Sequence, residues 1–250
     1  MLHYKRDLFL VLLKKELASK YQGSILGLVW TFLNPLLSIV VYYIVFALIL
    51  KLGDKKYLNY LISGVLYWNF VSSSFLGLTY SFVNNSSIIK RLPVSLKLLT
   101  LANLISNAIP YFVLTFLFLV VINSFPYVLL SVAKLILSFM LTGIFLYLIG
   151  FTASTLNTFI KDTGYLISFF LNLLFYLTPI VYYTNAIPHS LKFLLYINPF
   201  FSFLVIWRWA VLGAEFHILW LYTACVHIFL AFVVYKWINK KLVWLIPETL

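Results

Sequence analysis

Six stretches of the sequence run for twenty or more residues with scarcely a charge, and most of the loops between them are short. A helix that crosses a bilayer needs about 20 apolar residues, because the hydrocarbon core is about 30 Å thick and the helix rises about 1.5 Å per residue. Residues 25–50, 57–83, 98–122, 127–156, 164–183 and 218–237 meet that length. Their apolar residues are continuous and do not alternate with period two, which favours helices over a membrane β-barrel. Composition agrees. Of 250 residues, 64% are apolar and 10% charged, where a soluble domain carries about 25% charged residues. The fold class expected is therefore an all-α integral membrane protein, one domain over 1–250.

Two further segments belong to that domain. Residues 4–22 are expected to form an amphipathic helix at the interface, with Leu10, Leu13, Leu17 and Tyr21 on one stripe; a plain basic leader is the alternative. Its apolar block is short and followed at once by Lys14, Lys15 and Glu16, unlike a cleavable signal peptide. Residues 184–213 are apolar but broken by Pro188 and Pro199, and read either as a seventh span or as a re-entrant hairpin between spans five and six.

Charge arbitrates between these. Six spans with an inside N-terminus place twelve basic residues inside and six elsewhere, whereas a seventh span would send Lys236, Lys240 and Lys241 outside. Basic residues collect in cytoplasmic loops, so the re-entrant reading is preferred, with both termini cytoplasmic. The net charge of +12 follows from that rule and from anionic lipid, and nucleic acid is not an expected partner. The single cysteine, Cys225, excludes an intramolecular disulfide.

Several chemistries lack their residues. No G-x-x-x-x-G-K-[ST] phosphate loop, H-E-x-x-H or G-x-S-x-G occurs. The four histidines have no metal-ligand spacing, and no cofactor or metal is expected in this chain. The six carboxylates, Asp7, Glu16, Asp54, Asp162, Glu215 and Glu248, all fall at span ends or in loops. Ion-coupled carriers keep an acid within the membrane, so energy is expected from another subunit.

Four segments then carry a resemblance. Lys20-Tyr21-Gln22-Gly23-Ser24-Ile25-Leu26-Gly27-Leu28-Val29-Trp30, with Asn34-Pro35-Leu36-Leu37, is similar to the first-span signature of polysaccharide-exporting ABC transporter permeases, the family of O-antigen and teichoic-acid exporters. Ser63 to Phe70 resembles that family's second span, and Ile88-Ile89-Lys90-Arg91-Leu92-Pro93 its inner loop. Leu177 to Tyr182, with Ile197-Asn198-Pro199-Phe200 and Arg208, resembles its fifth span and outer hairpin. Leu92 departs from the family, whose members often have Phe before the proline. The resemblance implies a homodimer in the bacterial inner membrane, paired with two separate ATP-binding subunits that hold ATP and Mg. It implies export of a polymer carried on a polyprenyl pyrophosphate lipid. A permease for a small amphiphile, such as a drug or haem, and a membrane-bound lipid-modifying enzyme are the competing classes. The scattered carboxylates offer the enzyme no acid–base pair.

Site residues are assigned on that basis. Asn85, Ser87, Lys90, Arg91 and Pro93 are candidates for coupling to the ATPase. Sugars present C–H faces that pack on rings, so Trp30, Tyr42, Tyr43, Phe46, Phe170, Phe175, Tyr176, Tyr182 and Tyr183 are channel-lining candidates, against interfacial or core packing as the plain alternative. Arg6, Lys14, Lys15 and Lys20 are candidates for the lipid pyrophosphate, with anionic membrane lipid competing for the same charges. Pro188, Asn198, Pro199 and Arg208 are outer-gate candidates. Trp68, Trp207, Trp209, Trp220, Trp237 and Trp244 are expected in interfacial belts.

Overall fold

The computed structural model describes residues 2–21, 27, 29–51, 54–91, 94–122 and 125–250. Among them every regular element is helical. The order is α1 (Leu2–Tyr21), α2 (Val29–Tyr42) continuing as a π-helix over Tyr43–Ile49, α3 (Tyr57–Thr79), α4 (Ser81–Asn84), α5 (Ser86–Arg91) and α6 (Leu96–Ile122). There follow α7 (Phe125–Phe159), α8 (Thr163–Leu177), α9 (Phe193–Ile197), α10 (Pro199–Leu212), α11 (Ile218–Leu242) and α12 (Ile246–Thr249). Five of the helices are long and apolar enough to cross a membrane, and a sixth crossing is available if a bent pair is counted.

α3 packs against α2, α6, α7, α8 and α10. Between helices in lipid, close approach takes the place of water-driven burial, and α3 supplies small residues for it. Its Ser63, Gly64 and Ser74 are fully or nearly fully buried. A Cβ on Gly64 would lie 2.8 Å from an Arg208 nitrogen and 2.9 Å from the Ile180 carbonyl, so only glycine admits α10 here. Aromatic rings fill the rest of the contact: Phe70 and Trp207 stack with centroids 6.2 Å apart, and Phe139 meets Trp207 at 4.7 Å.

Three predicted boundaries shift for identifiable reasons. The fifth span, expected over 164–183, is a helix only to Leu177. Pro179 has no N–H and forces the residue before it out of the helical region, and Thr178 is indeed extended at φ −101°, ψ 130°. The first span continues helically through Pro35, and its irregularity lies instead at the π-helical Tyr43–Ile49. The second span breaks at Tyr80 into α3 and the short α4. In the 184–213 region, the helical turn ending at Ile197 and α10 meet at 91°.

α1 is a helix, and it packs on α6. Leu12 and Glu16 are buried, flanked by Leu8 and Leu13, while Leu10 is exposed. Of the expected stripe, Leu13 packs against the core, Leu17 is half-buried and Leu10 is exposed. The tryptophans also divide: Trp207 and Trp68 are core residues, whereas Trp237 and Trp244 are exposed. Trp207 was expected in a belt, but it sits on the α10 face that meets α3.

Candidate functional site

At the end of the bundle where α1 lies, an anion is buried. Glu16 is 5% exposed. Its carboxylate accepts from Asn103 Nδ2 at 2.7 Å, from Asn85 Nδ2 at 3.2 Å and from Lys15 Nζ at 3.3 Å. Lys15 Nζ also donates to Asn85 Oδ1. The network extends into α6, where Asn107 Nδ2 donates to Asn103 Oδ1 at 3.1 Å. Gly77 of α3 makes room for that amide pair, since a Cβ there would lie 2.9 Å from Asn107. A carboxylate removed from water is tolerable only when paired and hydrogen-bonded, and here α1, the α4–α5 elbow and α6 each supply a donor.

Asn85 makes the elbow. Its backbone (φ −109°, ψ 17°) ends α4, and its carbonyl accepts from Ile88 N and Ile89 N at 3.0 Å each, which starts α5. Its side-chain amide also donates to Ser81 O at 2.8 Å. Ile89 turns inward, whereas Ser87, Lys90 and Arg91 are exposed. The C-terminal α12 packs against both α5 and α7 through the fully buried Ile246. Of the coupling candidates, Asn85 is thus the buried pivot and Ser87, Lys90 and Arg91 form its outer face; Pro93 lies outside the described residues.

Beside this node a polar cavity of about 410 Å³ is lined by Lys20, Asn34, Asn69, Ser72, Asn107 and Trp30, among others. Lys20 lines the cavity while part of the residue stays exposed; lost hydration lowers its pKa to about 8, partly opposed by the nearby Glu16 carboxylate. Among the other basic candidates, Lys14 is exposed and Arg6 pairs with Asp7 at 3.3 Å in an exposed bridge. Lys15 is turned onto Asn85 and Glu16.

The aromatic candidates separate into groups. Tyr42 of α2 stacks on Phe175 of α8 at 5.3 Å, and Phe175 meets Tyr176 at 5.1 Å and Trp68 at 5.9 Å. Phe170 and Tyr176 are strongly exposed on α8, and Trp30 is half exposed on α2. Tyr43 and Phe46 are partly buried in the π-helical segment. Tyr182 and Tyr183 lie beyond α8: the Tyr182 hydroxyl donates to Tyr176 O at 2.7 Å, and that of Tyr183 to Asp54 Oδ1 at 2.8 Å. The Tyr183 hydrogen bond is the first cause holding the Asp54 carboxyl below its ordinary pKa.

At the opposite end a cation is buried. Arg208 is 6% exposed and has no acidic partner among the described residues. Its guanidinium donates to Pro179 O at 2.8 Å and Ile180 O at 3.2 Å, and lies 3.5 Å over the Tyr60 ring. The Tyr60 hydroxyl donates to Pro179 O at 3.0 Å and Tyr182 O at 2.9 Å, and that of Tyr57 to Val181 O at 2.7 Å. Each carbonyl from Pro179 to Tyr182 thus accepts from a side chain of α3 or α10. Backbone carbonyls freed at membrane depth cost several kcal/mol each if unsatisfied, and this set answers the break after α8. Asn198 completes the arrangement, capping α10 by accepting from Phe200 N at 3.1 Å while donating to Thr178 Oγ1 at 2.8 Å. Asn198, Pro199 and Arg208 converge here, whereas Pro188 is exposed in the preceding loop.

Glu16, Asn103 and Asn107 were missed as functional residues. Leu8, Leu12 and Glu16 recur every four residues, as do Asn103 and Asn107 in an otherwise apolar run, and an amide pair at that spacing inside a span signals a buried polar face.

Comparison with known proteins bears on this arrangement. The sequence pattern of the ABC-2 type transporter family matches residues 7–212. An "O-antigen export system permease protein RfbA" of Klebsiella pneumoniae is 30% identical over 217 residues, covering 83% of this chain and 81% of the relative. A protein of the same description from Myxococcus xanthus is 26% identical over 211 residues, covering 80% and 78%.

Proposed function

Since this chain belongs to the ABC-2 type transporter family and is a multi-pass membrane permease, we propose that it exports a polysaccharide linked to a polyprenyl pyrophosphate, driven by a separate ATP-binding subunit. The observation that carries the coupling half of this reading is the Asn85 elbow. One face offers the exposed Lys90 and Arg91 to a partner, and the other is hydrogen-bonded to Glu16, whose carboxylate is bonded to the spanning helix α6. A push on α5 therefore reaches α6 through two short hydrogen bonds rather than through a flexible loop.

The substrate half is supported by the relatives' names, by the Lys20 cavity and by the exposed faces of α2 and α8. The Lys20 cavity places one ammonium among neutral amides and hydroxyls, which suits a pyrophosphate headgroup. The exposed faces of α2 and α8 carry rings and aliphatic side chains without charge, as a homodimer seam flanking a sugar passage requires. With α1, α5 and α12 on the cytoplasmic side of the inner membrane, the clustered basic residues obey the positive-inside rule.

Deletion of the gene is expected to abolish surface polysaccharide while lipid-linked polymer accumulates inside the cell. Arg91→Glu is expected to leave the folded complex intact and to lower transport-linked ATP hydrolysis. Normal surface polysaccharide in the deletion strain would overturn the substrate assignment, and unchanged coupling in Arg91→Glu the elbow's role.

A further inference from the structure

At the Arg208 end, two adjoining cavities of about 340 and 750 Å³ share Tyr60, Asn185, Ala214 and Glu215 and form one cleft. Its floor is the clamp just described, and its walls come from the loop before α9, from α9 itself and from the start of α11. Those volumes fall within the range of small-ligand sites, about 300–1,000 Å³. Three features define what such a cleft accepts.

The first is a ring platform. Tyr196 and Trp220 stack nearly parallel, 17° apart with centroids at 5.1 Å, and Phe201 meets Trp220 edge-on at 4.9 Å. Tyr196 remains 46% exposed, so the buttressed pair presents a flat apolar surface to the cleft. The second is a ring of polar side chains without partners among the described residues. Asn185, Lys192, Glu215 and His217 line the space, yet none of their side chains makes a hydrogen bond or ion pair there. The third is charge balance. Asp54 and Glu215 are matched by Lys56 and Lys192 along the lining, and Arg208 in the floor keeps its charge but turns its N–H groups onto carbonyls. Apart from Arg208, neither sign predominates along the lining, in contrast to the Lys20 cavity. Amide, carboxylate and ammonium groups around a ring platform instead fit a neutral polyhydroxylated ring: hydroxyls both donate and accept, and C–H faces pack on the aromatics.

The geometry points to a carbohydrate-binding subsite in this cleft, taking one or two neutral sugar units against Tyr196 and Trp220 with Asn185 and Glu215 as hydrogen-bonding partners. It rests on the polysaccharide reading above and adds to it a second sugar contact, separate from the aromatics of α2 and α8, at the end of the bundle remote from the coupling elbow. A polymer held there between transport steps is prevented from sliding back.

The test uses the full chain in lipid nanodiscs and saturation-transfer NMR, with delipidated surface polysaccharide of the native host as the probe and inorganic pyrophosphate as competitor. Saturable transfer to sugar protons is expected in the wild type, unaffected by pyrophosphate. It is expected to weaken about tenfold in the double variant Asn185→Ala, Glu215→Gln, from loss of two hydrogen bonds, one to a charged group. Both residues are exposed and unbonded, so this variant keeps its fold, which elution as a single species checks. Tyr196→Ala provides an independent arm with the same expected direction. Wild-type affinity in both variants, displacement by pyrophosphate, or no transfer in the wild type would each overturn the subsite. If the gene deletion still abolishes surface polysaccharide in that event, the subsite alone has failed and the transport reading stands.

Discussion

Glu16 and Arg208 are buried to almost the same degree, 5% and 6% exposed, but the groups that hold them differ in kind. Glu16 is held by side chains: two amides and an ammonium, delivered by α1, the α4–α5 elbow and α6. Arg208 is held by main-chain carbonyls, two from the broken segment after α8 and, at longer range, that of Tyr60. Side-chain donors rotate and exchange partners when helices slide, so an anion so held can follow a moving element. Carbonyls move only if the backbone itself refolds. The contrast separates an end joined by side chains of three elements from an end where side chains hold an irregular backbone.

The contrast breaks most visibly at Arg208. Arg208→Ala strands the Pro179 and Ile180 carbonyls from their guanidinium donors, and the loss is expected to be about 3 kcal/mol or more. It would be read as a fall in thermal midpoint and in the yield of monodisperse protein. Arg208→Lys should recover less than half, because an ammonium cannot fork across two carbonyls in a plane; full recovery would show that charge alone suffices. Gly64→Ala attacks the same clamp from α3, and overpacking is expected to cost about 1–3 kcal/mol. A wild-type midpoint in that variant would mean the clamp yields more readily than its contacts imply.

At the other end the effect should fall on function before stability. A double-mutant cycle of Glu16→Ala with Asn103→Ala is expected to give a coupling energy of about 1–3 kcal/mol. The single Glu16→Gln variant, which sets an amide donor against the Asn donors, should uncouple ATP hydrolysis from transport while remaining folded. Additive single-variant losses would show that α1 and α6 do not communicate through this carboxylate. The smallest expected effect is the pH response of Lys20. Its ammonium loses its charge as pH rises through about 8, so anionic headgroup affinity should fall about fivefold between pH 7 and 9, the worth of roughly 1 kcal/mol per lysine at a surface. Lys20→Arg should remove that dependence. For folding the sign reverses: the fold binds the proton less tightly than the unfolded chain, so this group's contribution to stability rises with pH from about 8 toward 10.5.

The membrane class was legible because bilayer thickness acts on apolar length alone; of the six expected spans five are matched by helices long enough to cross, whereas the one expected over 164–183 is a helix of 15 residues. The break at Pro179 was also written in the chain, since proline removes a donor and restricts Thr178, yet the apolar run continues to Tyr183 and hides it. The buried charges were harder to read. Arg208 interrupts no pattern, and its partners lie 28 and 29 positions away in chain order. Glu16 is flanked by Lys14 and Lys15, which look like an ordinary solvated stretch. The recurrence of Leu8, Leu12 and Glu16 marks a shared face, but it does not name the partner that meets it, Asn103, 87 residues on.

That long separation has a consequence for how the protein is made. The Tyr60 carbonyl approaches an Arg208 nitrogen at 3.5 Å across 148 positions of chain. As the ribosome delivers the polypeptide into the bilayer, the segment after α8 arrives before the guanidinium that tethers it. Until α10 is made, Tyr57 and Tyr60 can serve the Pro179, Val181 and Tyr182 carbonyls, but the Ile180 carbonyl waits for Arg208.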